Sequence, residues 1–185
     1  MIKEILADAQ ERMEKSYESM CHDFATMRVG RANPAILDGI TVDYYGVPTP
    51  LNQTSNINAP EPRLLTIQPW DRSLLSAIEK AIQKADLGIN PSNDGEIIRL
   101  AIPALTEERR KELVKTAHKR AEEAKVAVRN IRRDVNDKIK AAEKKHEITE
   151  DEMQEALDNT QKYTDEHVKK IDETLHKKEK EIMEV

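Results

Sequence analysis

Cysteine, aromatic residues and long apolar runs are all scarce in this 185-residue chain. The single cysteine, Cys21, excludes an internal disulfide, so nothing in the sequence requires an oxidising compartment. Aromatic residues make up only 3% of the chain, which favours aliphatic seams between helices over a core of large rings. No apolar run approaches the roughly 20 residues of a transmembrane helix, and the acidic N-terminus lacks the features of a signal peptide. We therefore expect a cytoplasmic protein that does not enter a membrane.

Glycine and proline are absent from both ends of the chain. All 5 glycines lie between Gly30 and Gly95, and all 8 prolines lie between Pro34 and Pro103. Because these residues interrupt helices, the pattern predicts one helix, then a turn-rich segment, then further helices. The predicted fold class is α+β.

Three long helices should pack into one elongated bundle formed by residues 1–29 and 106–185. Residues 31–104 would then form a small α+β domain inserted between the first helix and the second. Two linkers, near 29–31 and near 103–105, join the domains and can act together as a hinge. The predicted hinge residues are Val29, Gly30, Arg31, Pro103, Ala104 and Leu105.

The inserted segment shows three strand-like runs. These are residues 40–45, 64–67 and 97–102, and we expect prolines 48, 50, 60 and 62 to break the chain between the strands. One helix should follow a cap at Asp71 or Ser73. A small sheet covered by one helix is the predicted architecture.

Local signals also mark individual positions. Gly30 is interpreted as the cap that ends the first helix, and Thr149 with Glu152 forms the capping box of the third. If 40–45 is a strand, Tyr44 and Tyr45 point to opposite faces, so we expect one in the core and one exposed. Base stacking by the exposed ring is a weaker alternative.

The forty residues from Thr106 to about Lys145 contain neither glycine nor proline. Apolar residues recur there at steps of three or four and form one helical stripe. The stripe consists of Leu113, Ala117, Ala121, Ala124, Val128, Ile131, Val135, Ile139 and Ala142. At about 1.5 Å per residue the helix would be on the order of 60 Å long, so other helices must lie along it.

This helix is basic although the chain is acidic. Between Arg109 and Lys145 there are 14 Lys and Arg against 6 Asp and Glu, whereas the whole chain has a net charge of −5. Arg129, Arg132 and Arg133 lie within about one turn, and arginine suits bidentate contacts with phosphate. The pattern therefore favours nucleic-acid contact at this cluster. Because the overall acidity argues against a non-specific DNA-coating protein, a folded RNA fits better.

A second explanation of the charge remains open. The third helical segment, residues 146–185, carries 13 acidic against 6 basic residues. Basic residues of the central helix would pair with this acidic helix, as flanking positions of coiled coils do.

Motifs for catalysis or cofactor binding are missing. The 5 glycines are isolated, so there is no glycine-rich phosphate loop, and the 5 histidines are scattered. His118 and Glu122 lie one helical turn apart and could share a metal, but such a pair on a charged helix is more often solvated. We predict that the protein is not an enzyme and that it holds no cofactor and no metal.

Several longer motifs together resemble the bacterial ribosome recycling factors. The matching motifs are Asp38-Gly39-Ile40 followed by Val42, the stretch from Tyr44 to Leu51, Lys84 to Pro91, Leu105 to Lys111, and Val128 to Asp134. They occur in the right order and cover essentially the whole chain. The resemblance implies an L-shaped protein with two domains, a three-helix bundle and an inserted α+β domain, similar to a tRNA in outline.

The same resemblance implies a function and a set of partners. Members of this family bind the ribosome after termination and, with elongation factor G and its GTP hydrolysis, split it into subunits. The contact with large-subunit ribosomal RNA then falls on Arg129, Arg132 and Arg133, with Arg110, Arg28 and Arg31 beside the linkers. The inserted domain would meet elongation factor G, and we expect the protein to be a monomer.

One competing interpretation comes from a different class of protein. A long helical bundle can act as a scaffold or chaperone-like adaptor that binds protein partners without RNA. The arginine cluster distinguishes the two interpretations, because only RNA binding gives it a ligand.

Overall fold

The computed structural model describes residues 1–27 and 29–184. These residues divide into two compact units: Met1–Phe24 with Lys111–Glu184, and Ala25–Arg110. The chain passes from one unit to the other twice. The first passage, after Phe24, lies in the last turn of one long helix, and the second, after Arg110, lies in the first turn of another.

The first unit is a bundle of three long helices. They are α1 (Ile2–Thr26), α3 (Glu107–Lys144) and α4 (Glu150–Met183). The nine stripe residues predicted for the central helix are the nine that are buried in α3. Polar contacts join each pair of helices: Arg12 to Asp134 (α1 to α3), Tyr17 to Thr174 (α1 to α4) and Lys125 to Asp172 (α3 to α4). The predicted three-helix bundle is confirmed.

The buried side of α4 includes polar side chains as well as apolar ones. The capping box at Thr149 and Glu152 is present, as predicted. Three of the buried polar side chains of α4 are Thr160, Thr164 and His167. Their burial is tolerated because each has a hydrogen-bond partner. The two threonine hydroxyls donate to the carbonyl oxygens four residues earlier, which satisfies their polar groups inside the bundle.

The second unit contains two antiparallel sheets and one helix. The strands are β1 (Thr41–Tyr44), β2 (Val47–Pro50), β3 (Ser55–Glu61), β4 (Leu64–Pro69), β5 (Pro91–Asn93) and β6 (Ile98–Ala101), and the helix is α2 (Leu75–Lys84). β1 and β2 form a hairpin, and the other strands form a sheet in the order β3-β4-β6-β5. An aliphatic core that includes Leu65, Ile78 and Leu100 fills this unit. The α+β class is confirmed.

The expectation that prolines break the chain between strands is met by Pro62, which lies in the turn between β3 and β4, but it was wrong for the other three prolines. Pro48 and Pro50 lie inside β2, and Pro60 lies inside β3. Both strands are edge strands, so a residue without an N–H group can face solvent without breaking a ladder hydrogen bond.

Two further local expectations were also wrong. Tyr44 and Tyr45 are both exposed, because the strand ends at Tyr44 and Tyr45 lies in the turn with a φ of 50°. Gly30 does not cap α1, since that helix ends at Thr26.

Among the described helices, none combines the length and the apolar character that crossing a membrane would need.

Candidate nucleic-acid interface

The arginine cluster lies in the middle of α3. Val128, Ile131 and Val135 are buried and fix the rotation of the helix in the bundle. Side chains one position away from this stripe therefore emerge at its border. Arg129 and Arg132 are half-buried there, and Arg133 is exposed.

Two guanidinium groups of the cluster donate hydrogen bonds to neutral side chains. Arg132 Nη1 donates to Gln161 Oε1 of α4 at 3.3 Å, and Arg133 Nη1 donates to Asn130 Oδ1 at 3.4 Å. Within the part of the chain that the structure describes, none of the three arginines forms an ion pair. Three positive charges within one turn are therefore available to an anion.

The adjacent carboxylate, Asp134, serves other partners. Its Oδ2 accepts a hydrogen bond from Arg12 Nη1 of α1 at 2.7 Å and lies 3.5 Å from Lys138 Nζ. The hydrogen bond from Arg12 lowers the pKa of Asp134 below its usual value. Asp134 thus joins two helices and leaves the arginine cluster uncompensated.

Pairing with the acidic helix accounts for other charges of α3. Lys125 forms ion pairs with Asp172 of α4 and Glu122 of its own helix, and Asp172 is the main reason why the pKa of Lys125 is raised. His118 contacts Glu179 of α4. The arginine cluster takes no part in these pairs, so the two explanations drawn from the sequence apply to different residues of the same helix.

The other residues predicted to contact ribosomal RNA lie in the second unit or outside the described residues. Arg110 is half-buried in the first turn of α3 and Arg31 is exposed, and both belong to the unit Ala25–Arg110. Arg28 lies outside the described residues. Among the predicted contacts that the structure describes, Arg129, Arg132 and Arg133 are the ones brought together in about one turn.

The predicted hinge segments lie against each other within the second unit. Gly30 is buried with a φ of +78°, and a methyl group added there would come within 2.9 Å of Leu105 Cγ. Val29 is buried, whereas Pro103 and Ala104 are exposed. The positive φ and the close side chain together explain why glycine is needed at this position.

A polar network between α1 and α4 was not foreseen from the sequence. Glu14 accepts hydrogen bonds from Lys170 Nζ at 2.9 and 3.1 Å and lies 3.0 Å from His167 Nε2. Lys170 is the main reason why the pKa of Glu14 is lowered, and Glu14 in turn raises the pKa of Lys170. The residues are more than 150 positions apart, so no short motif could have shown that they meet.

No group of three or more His, Cys, Asp or Glu side chains within residues 1–27 and 29–184 is placed to hold a metal ion.

Comparison with known proteins places the chain among factors that act on ribosomes. A family model described as "Ribosome recycling factor" matches residues 20–183. The ribosome-recycling factor of Syntrophomonas wolfei is 63% identical over 185 residues, the full length of both chains. A solution structure of the ribosome recycling factor superposes with a TM-score of 0.83 at 42% identity and covers 100% of this chain and 98% of its own.

A second solved structure is a model of the Thermus thermophilus ribosome recycling factor and the Escherichia coli elongation factor G bound to the Escherichia coli post-termination complex. Its factor is 49% identical to this chain, with a TM-score of 0.69 and 99% coverage of both chains. Family match, full-length identity and shared fold agree, and the chain belongs to the ribosome recycling factor family.

Proposed function

We propose that this protein binds the post-termination ribosome and, with elongation factor G, promotes its dissociation into subunits. GTP hydrolysis takes place on the elongation factor, and the released subunits enter another round of translation. Membership of the family supports this function, as does the similarity to a factor described together with elongation factor G on a post-termination complex. The protein acts in the cytoplasm as a monomeric binding factor, without enzymatic activity or a cofactor of its own.

The observation that carries the proposal is the arginine cluster of α3. Arg129, Arg132 and Arg133 would bind phosphates of large-subunit ribosomal RNA, each through the planar fork of its guanidinium group. Because α3 is a continuous helix of 38 residues packed in a bundle, it holds the three groups at a fixed spacing. Binding to a structured RNA requires such a spacing.

Arg110, Arg31 and Arg28 would add ribosome contacts beside the linkers. Arg31 has an exposed side chain, which suits contact with a phosphate, and Arg110 is half-buried. Arg110 and Arg31 are secondary in the proposal because they lie outside the cluster, in the unit Ala25–Arg110, and Arg28 lies outside the described residues.

The linkers would provide the movement that splitting needs. In the proposed division, residues 1–29 and 106–185 form the RNA-anchored bundle, and residues 31–104 form a domain that swings. The hinge residues are Val29, Gly30, Arg31, Pro103, Ala104 and Leu105. Support comes from the positive φ of Gly30 and from the close approach of Leu105 to it, since the two linker segments lie side by side there.

Light scattering of post-termination ribosomes tests the function directly. The parent protein should reduce scattering only when elongation factor G and GTP are both present. A variant with alanine at Arg129, Arg132 and Arg133 should give little splitting at the same concentration. The proposal fails if the parent leaves ribosomes intact, and the role of the cluster fails if the triple variant splits them at the parent rate.

A further inference from the structure

The acidic helix α4 offers different chemical groups to different cations of α3. Lys125 contacts a carboxylate there, that of Asp172. Arg132 contacts the side-chain amide of Gln161 instead, and its Nη1 lies 3.3 Å from Gln161 Oε1. A carboxylate that accepts from a cation also neutralises its charge, whereas an amide oxygen accepts and leaves the charge in place. Arg132 is therefore held across the boundary between the two helices by a partner that does not neutralise it.

The orientation of this amide is determined by its two partners. Nε2 of Gln161 donates to Asp165 Oδ1, one turn further along α4, at 2.9 Å. A carboxylate can only accept hydrogen bonds and a guanidinium group can only donate them, so the amide nitrogen must face Asp165 and the amide oxygen must face Arg132. Asp165 has no ion-pair partner in the part of the chain that the structure describes. Gln161 therefore lies between a cation and a carboxylate and keeps a hydrogen bond to each.

The guanidinium group of Arg132 keeps most of its donors for another partner. It carries several N–H groups in one plane, and Nη1 donates the hydrogen bond that it forms within the described residues. An arginine side chain has many rotamers, so ordering it on binding costs free energy. A hydrogen bond that already holds the side chain in place lowers this cost.

We propose that Gln161 is a positioning residue of the ribosomal RNA contact: it orients Arg132 for a phosphate and keeps a neutral group opposite its charge. This inference rests on the proposed function, in which the arginine cluster binds that RNA. It adds a residue of the acidic helix to a contact otherwise assigned to α3. Neutrality at position 161 is the decisive property, because a carboxylate there would compete with the phosphate for the guanidinium group.

Gln161→Glu tests this neutrality, because it replaces the amide by a carboxylate of the same size. The new carboxylate should form an ion pair with Arg132. Co-sedimentation with vacant ribosomes should then show binding that is weaker by about five-fold or more. The slope of log affinity against log salt should become shallower by about 0.7–0.9 units, as expected when one phosphate contact is lost.

Gln154→Glu is the matched control on the same helix. Gln154 is also exposed and donates to a carboxylate one turn further on, that of Asp158, at 3.0 Å. Both glutamines have an Asp three residues before them and four residues after them, so the added charge meets the same neighbours along the helix. Within the described residues, Gln154 contacts no arginine. This variant should bind ribosomes within about two-fold of the parent, since a distant exposed charge is screened by salt.

Gln161→Met separates orientation from charge, because methionine is neutral and of similar length but lacks the amide. It should weaken binding by about three-fold and leave the salt slope unchanged, since Arg132 keeps its charge but loses its anchor. Position 161 is exposed, so the melting temperatures of both variants should stay close to that of the parent.

A double-mutant cycle with Arg132→Ala decides whether Gln161 acts through Arg132. In the Arg132→Ala background, Gln161→Glu should change ribosome binding no more than Gln154→Glu does. An effect of Gln161→Glu that survives without Arg132 overturns the inference, and so does equal weakening by the two glutamate variants in the parent background. Parent affinity for either Gln161→Glu or Gln161→Met overturns it too. If Arg132→Ala itself binds as tightly as the parent, the RNA contact of the cluster fails, and this inference with it.

Discussion

The arginines of the cluster have no acidic partner among the described residues, in contrast to Arg12 and Arg120 of the same bundle, which form ion pairs. Lys125 is paired with acidic residues, and Arg12 is paired with Asp134. Exposed ion pairs contribute little stability, so their loss would be tolerated, whereas an unpaired cation at a fixed position gains most from a phosphate.

Arg132→Ala should weaken ribosome binding by about 1–3 kcal/mol and leave the melting temperature close to that of the parent. Its contact with Gln161 is long and neutral, and alanine is the best helix former, so the fold loses little. Lys119→Ala is the control for charge, because it also removes one positive charge from α3 but at an exposed position outside the cluster. Co-sedimentation with ribosomes measures both. Equal affinities for Arg132→Ala and Lys119→Ala would contradict a specific contact.

Glu14 links two helices through charge-assisted hydrogen bonds, and its lowered pKa makes the stability of the bundle depend on pH. A carboxyl whose folded-state pKa lies below its unfolded value of 4.5 stabilises the fold above that value. This contribution is lost as the pH falls through the lower, folded-state pKa.

Glu14→Gln should therefore have a lower free energy of unfolding than the parent at about pH 7. This difference in free energy should shrink as the pH is lowered to about 3. Urea unfolding followed by circular dichroism at several pH values measures the difference. Glu11→Gln, which removes a more exposed carboxylate of the same helix, controls for the loss of one charge. A difference that stays constant with pH would show that the ionised form of Glu14 does not stabilise the bundle.

Helices and strands differ in how far the sequence could predict them. The stripe of α3 was predictable residue by residue, because a period of 3.6 over ten turns leaves little ambiguity. β2 and β3 were missed because their prolines read as breakers, and only their place at sheet edges makes those prolines acceptable. The arginine cluster could be located from charge alone. The ion pair of Asp134 with Arg12 could not be predicted, because it depends on how α1 packs against α3.

The two linker segments meet at Gly30 and Leu105, which allows the hinge to be tested as an element. Gly30→Ala should destabilise the protein by about 1–3 kcal/mol, since it combines a strained φ with a close approach to Leu105. Adding Leu105→Ala should remove the steric part of this loss of stability and leave the part that comes from the backbone φ. A double-mutant cycle in thermal unfolding can separate the two parts.

The same variants test whether the linkers take part in splitting. Gly30→Ala should slow ribosome splitting more than it weakens ribosome binding. A variant that splits ribosomes at the parent rate despite its lower stability would argue against a hinge at this point.

On the scale of the whole molecule, the chain combines a basic helix with an acidic remainder and a bundle with an inserted unit. Residues 1–29 and 106–185, joined by a short Gly and Ser linker, should fold alone as a helical bundle, because the buried residues of α1, α3 and α4 are all kept. A short linker suffices, since Gly30 and Leu105 lie against each other. Circular dichroism should show high helicity and a cooperative melt. Low helicity without a cooperative transition would contradict the proposed division.

The central claim is that α3 binds RNA through its arginine cluster, and the salt dependence of ribosome binding tests it most directly. Each phosphate contact contributes about 0.7–0.9 units to the slope of log affinity against log salt. The triple variant Arg129→Ala, Arg132→Ala, Arg133→Ala should therefore bind more weakly at low salt, with a slope shallower than that of the parent by about two to three units. If the triple variant keeps both the affinity and the slope of the parent, the cluster is a solvated helix face and the bundle binds its partners without RNA.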